Sequence, residues 1–97
     1  MARIIRKGID LSQGHCYSPR VCLTGSDNVF VEGLSVVRAL LDDYGQTHSC
    51  GHSHHSMGPG VQGSPNVFVN GMPIHRNGDL IQCGDRGGNG STTVFCN

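Results

Sequence analysis

One feature constrains the fold more than any other: the chain repeats itself. GSDNVFVEGLSVVR (Gly25 to Arg38) aligns without a gap on GSPNVFVNGMPIHR (Gly63 to Arg76), and a third, truncated copy, GSTTVF, spans Gly90 to Phe95. The copies start 38 and then 27 residues apart, too irregular for units stacked at a fixed spacing. Three related units in one small domain instead predict approximate threefold symmetry about a central axis. Each unit reads as a β-hairpin. Gly-Ser followed by Asp-Asn or Pro-Asn is turn chemistry, Val-Phe-Val favours a strand, and Glu32-Gly33 or Asn70-Gly71 marks a tight turn. LSVVRALLDDYG has helical periodicity, but its place inside the repeat predicts a strand followed by a loop. The expected fold is all-β, a single domain over residues 1–97.

Such a domain has little apolar material to bury. Hydrophobic residues are 36% of the chain, Trp is absent, and there are 15 glycines. A small domain with a thin core needs a staple: disulfides, a metal or a partner chain. Five cysteines (16, 22, 50, 83 and 96) cannot all pair, so some are expected to be metal ligands or small core residues. Cys16, Cys22 and Cys96 flank strands or a terminus and read as packed residues. Seven basic residues balance seven acidic ones. That balance supplies no field for nucleic acid or anionic lipid. No apolar run is long enough to span a membrane, and MARIIRKGIDLSQ lacks the apolar centre of a signal peptide.

Metal is the staple the residues point to. THSCGHSHH (Thr47 to His55) holds four of the six histidines. Asp10 is followed five residues later by His15, Asp43 five residues later by His48, and Asp79 four residues later by Cys83. Threefold packing would bring these equivalent positions together, as three ligands of a tetrahedral ion require. The fourth comes from His52, His54 or His55, with Cys50 as a competitor. Three His and one Cys suit a closed structural Zn²⁺ site, with Fe²⁺ as a substitute. His75, at the repeat position of Val37, reads as an exposed residue. Cys-His catalysis is disfavoured, since the domain leaves little room for a substrate pocket of about 300 Å³.

GSPNVFVNGMPIHRNGD (Gly63 to Asp79) resembles the hallmark of PAAR-repeat proteins. The name-giving Pro-Ala-Ala-Arg here reads Pro73-Ile74-His75-Arg76, and Ser35-Val36-Val37-Arg38 in the first copy. The resemblance implies a small conical domain with a metal near its apex, held by His15, His48, His54 and Cys83. It also implies a place at the tip of the trimeric β-helix spike of a contractile injection machine, one copy per trimer. A domain of this length resembles the tip protein of a phage tail baseplate, and so a virion component, more than an effector-carrying protein of a type VI secretion system. The implied role is mechanical: the tip sharpens the spike, touches the cell envelope transiently and takes no small-molecule substrate. Leu34, Met72, Ile74 and the Val-Phe-Val strands are candidates for the surface that meets the spike. A stand-alone metal-sensing module and a metal-dependent hydrolase are the alternatives.

Overall fold

A computed structural model describes residues 2–14, 18–45, 47–50 and 53–97, with 47–50 and 53–55 as backbone only. Its strands are β1 (Ala2–Arg3), β2 (Phe30–Val31), β3 (Leu34–Ser35), β4 (Thr47–Cys50), β5 (Ser53–Ser56), β6 (Phe68–Val69), β7 (Met72–Pro73) and β8 (Phe95–Cys96). They form four two-stranded antiparallel sheets: β2 with β3, β4 with β5, β6 with β7, and β1 with β8. No helix occurs among the described residues. In the segment with helical periodicity, Leu40 takes φ of 69°, which a right-handed helix excludes. Glu32-Gly33 and Asn70-Gly71 all have positive φ, as the tight turns of β2–β3 and β6–β7 require.

The truncated third copy is completed by the other end of the chain. Phe30 faces Ser35 and Phe68 faces Pro73; correspondingly, Phe95 in β8 faces Arg3 in β1. Ile4-Ile5-Arg6 thus continues the third unit as Val36-Val37-Arg38 and Ile74-His75-Arg76 continue the others. The backbone closes the ring. Val37 N–H donates to the Ile5 carbonyl, His75 N–H to that of Val37, and Ile5 N–H to that of His75, at 3.1, 3.0 and 3.2 Å. Three residues linked head to tail in this way surround one axis. The extents of 38 × 23 × 23 Å, with two equal short dimensions, agree with that axis being the long one.

The axis has a thin apolar filling in two clusters. Ile4, Val36 and Ile74 form one with Val69 and Cys96; Ile5 and Val37 join Cys22, Tyr44, Met57 and Ile81 in the other. Two expectations change here. His75 is fully buried rather than exposed, because its repeat position points at the axis, as those of Ile5 and Val37 do. Ile74 is 3% exposed and belongs to the core, so it is no part of an outer contact surface. Cys22 and Cys96 are buried, as small packed residues should be. Cys16 lies outside the described residues.

Candidate functional site

Each unit fixes its loop with one arginine and one aspartate. Arg38 donates to Asp42 from its backbone N (2.7 Å), Nε (2.8 Å) and Nη2 (2.9 Å). Arg6 makes the same three bonds to Asp10, and Arg76 to Asp79. Burial opposes ionisation of Asp42, but the bonds from Arg38 and Thr24 outweigh it and hold its carboxyl below the usual range. The pattern corrects the expected equivalence of Asp43 with Asp10 and Asp79. Asp42 is the matching residue, while Asp43 is exposed and accepts the Gly45 N–H. His15, His48 and Cys83 therefore follow their aspartates by five, six and four residues, because the loops differ in length. Arg6 and Asp10 were legible as the third copy of this pair: IIRKGID parallels VVRALLD and IHRNGD.

The candidate metal ligands sit on the loops that these pairs launch. His15 and His52 lie outside the described residues; His48, His54 and His55 are described by backbone alone. In the β4–β5 ribbon His48 pairs with His55 and Ser49 with His54. Cys83 is half-buried against the cluster of Tyr44, Met57 and Ile81, and burial pushes its thiol pKa up. Its N–H donates to the Met57 carbonyl at 3.1 Å, immediately after β5. Gly14, next to His15, donates its N–H to Asp85 at 3.1 Å, two residues beyond Cys83. The described residues Gly14 and Met57 thus both lie within hydrogen-bond reach of the turn at residues 83–85. Among the described residues no three His, Cys, Asp or Glu side chains form a metal-holding group.

Behind this site lie two buried polar atoms that want partners. The His75 Nδ1–H donates to the Gln62 carbonyl at 2.9 Å, which leaves Nε2 without a hydrogen bond among the described residues. The Tyr44 hydroxyl is in the same state, and its ring meets the imidazole edge-on with centroids 6.1 Å apart. Burial lowers the His75 pKa and raises that of Tyr44. Gly60 makes room for the imidazole, since a Cβ there would lie 2.7 Å from Cε1 and Nδ1.

The hairpins carry a different chemistry. Phe30, Phe68 and Phe95 occupy the same position in the three units and are 56%, 56% and 41% exposed. Leu34 and Met72 are half-buried beside them. A ring of three exposed aromatic side chains is costly in water and presents a threefold apolar surface. No helix among the described residues is long and apolar enough to cross a membrane.

Comparison with known proteins agrees with this geometry. The family model described as PAAR motif matches residues 14–87 and again 50–97. Double-stranded DNA deaminase toxin A of Burkholderia cenocepacia (strain H111) is 42% identical over 74 residues, which cover 75% of this chain and 5% of the toxin.

Proposed function

Since the chain belongs to the PAAR-motif family, we propose that it is the structural tip that caps and sharpens the trimeric β-helix spike of a contractile machine. The observation that carries this reading is the ring of Phe30, Phe68 and Phe95. A trimeric β-helix ends in three equivalent strand edges and apolar side chains, and a monomer with threefold aromatic hairpins is complementary to that end. One copy per trimer follows from the match of symmetry. The setting we favour is the baseplate of a phage tail, with the tip of a bacterial secretion machine as the alternative. Contact with the cell envelope is then transient and mechanical, and neither nucleic acid nor a small-molecule substrate is bound.

The role is structural rather than enzymatic. The deaminase in the name of the related toxin describes a protein of which the matching region is a twentieth. At the other end, the loops that carry the expected ligands lie beyond the cluster of Tyr44, Met57 and Ile81, with Cys83 packed against it, and a metal would cross-link them there. His15, His48, His54 and Cys83 are the proposed ligands of one structural Zn²⁺ or Fe²⁺, with His55 or His52 as replacements for His54. Their donor chemistry fits a closed tetrahedral site, and the hydrogen bonds from Gly14 N–H to the Asp85 carboxylate and from Cys83 N–H to the Met57 carbonyl support it. When bound, the ion supplies folding free energy at the point; the protein's own part is to hold the loops that carry the ligands.

Co-purification with a trimeric spike protein, at one tip per three spike chains, tests the docking. Phe30→Asp, Phe68→Asp and Phe95→Asp should each abolish it, and retained binding in all three would refute the reading. Elemental analysis of protein purified without added ions should find one equivalent of zinc or iron, lost in His48→Ala. A free metal-sensing module would bind the ion equally well and show no association with the spike.

A further inference from the structure

Two of the three hairpins are closed by a tight turn, at Glu32-Gly33 and at Asn70-Gly71, and the third is not. Its strands β1 and β8 pair across almost the whole chain, so the closure entropy of everything between them opposes their meeting. Glu32, in the turn of the first hairpin, reaches both halves of this split one. On the segment that enters β8, its carboxylate accepts from Ser91 Oγ (2.5 Å) and Thr93 Oγ1 (2.7 Å). On the segment that leaves β1, it accepts from Arg6 Nη1 (2.9 Å).

The turn of the second hairpin makes a weaker contact of the same kind with the first unit, which has a turn of its own. There Asn70 Oδ1 accepts from Ser26 Oγ (2.7 Å) and Arg38 Nη1 (3.2 Å). A carboxylate accepting from a guanidinium and two hydroxyls binds more strongly than a carboxamide does. That strength has a local cost. Glu32 sits at φ of 54° and Asn70 at 53°, a left-handed place that Asn takes readily and Glu does not. The chain thus gives up the better turn residue at the corner that faces a hairpin without a turn. We propose that Glu32 is a carboxylate clasp and the positioning residue for Phe95: it binds the two halves of the split hairpin together and so sets the third aromatic of the ring in place before anything docks. The inference rests on the docking reading for the use of the ring but not for the clasp.

Hydrogen exchange and fluorine NMR of the lone protein test the clasp. The chain has three phenylalanines, one per unit, so fluorophenylalanine gives one signal for each hairpin. Ile4 N–H donates to the Val94 carbonyl and Ser91 N–H to that of Ile4, which closes the split hairpin. In Glu32→Gln these two amides should exchange roughly tenfold faster or more, and the Phe95 signal should move toward its unfolded position. Ile74 and Ser64, their counterparts in the second unit, and the Phe68 signal should stay as they are. Thr93→Val, which removes one bond from the opposite side, should act in the same direction. Equal acceleration in all units, or none at Ile4 and Ser91, would overturn the clasp. Glu32→Gln should also weaken binding to the co-purified spike protein in the wild-type background but not in Phe95→Ala. Equal weakening in both would overturn the positioning role. If no spike protein co-purifies, the docking reading fails and the exchange rates still decide the clasp.

Discussion

Removal of the Asp42 carboxylate tests the frame on which every other feature depends. Asp42 is 1% exposed and accepts four hydrogen bonds, three from Arg38 and one from Thr24 Oγ1 at 3.0 Å. Asp42→Ala leaves the Arg38 guanidinium, whose side chain is 13% exposed, with only the oxygens of Asn70 and Gly25 as hydrogen-bond partners among the described residues. An uncompensated charge in such a place costs about 3–5 kcal/mol. Partial exposure of Arg38 argues for the lower end, about 3 kcal/mol. For a domain of this length that shifts Tm down by about 12–24 °C. Urea unfolding followed by circular dichroism, in chelator and with metal present, measures the loss without confusing it with metal linkage. The carboxyl pKa is depressed in the folded state, so its contribution is present above the unfolded value near 4 and disappears as pH falls through the folded value. The gap between wild type and variant should therefore close in acid. Replacing both partners, as Arg38→Met with Asp42→Leu, should recover part of the loss because no lone charge remains. A cost under about 1 kcal/mol at neutral pH, or a gap that persists in acid, would refute the reasoning.

Three further outcomes are expected. His75 is buried with a lowered pKa, so the unfolded state takes up its proton first and stability falls as pH drops below about 6.5, by up to about 1.4 kcal/mol per pH unit. His75→Ile, which copies the Ile5 position, should flatten that slope in chelator-treated protein; an unchanged slope would assign it elsewhere. Gly60→Ala pushes a methyl into the imidazole and should cost about 1–3 kcal/mol by thermal melting, with relief in the His75→Ala background. Truncation of any one aromatic, as in Phe30→Ala, should weaken spike binding by roughly tenfold or more and leave the melting temperature unchanged or higher, since the ring is exposed in the free protein.

The halves of the chain that obey turn and strand chemistry were readable in advance. Asn-Gly and Glu-Gly turns, Val-Phe-Val strands and the recurrence of Arg at a fixed offset depend on local sterics and on a repeat visible by eye, so hairpins and a threefold arrangement followed from residues alone. The burial of His75 was also written there, in the Val37 that shares its position, but a histidine in a polar-looking loop hid it. Asp43 misled for a related reason: two adjacent aspartates fit the spacing equally, and only the reach of the Arg38 guanidinium separates them.

Sequence alone determined the number of units and their hairpin character, because a visible repeat and its turn residues depend only on near neighbours along the chain. Tertiary structure decided what closes the ring. Pairing of β8 with β1 joins residues more than ninety positions apart, and no local signal announces a strand partner at that distance. The same closure decides that His75 is buried and that Glu32 meets Ser91 and Arg6, since those contacts exist only once separate segments have been brought around one axis.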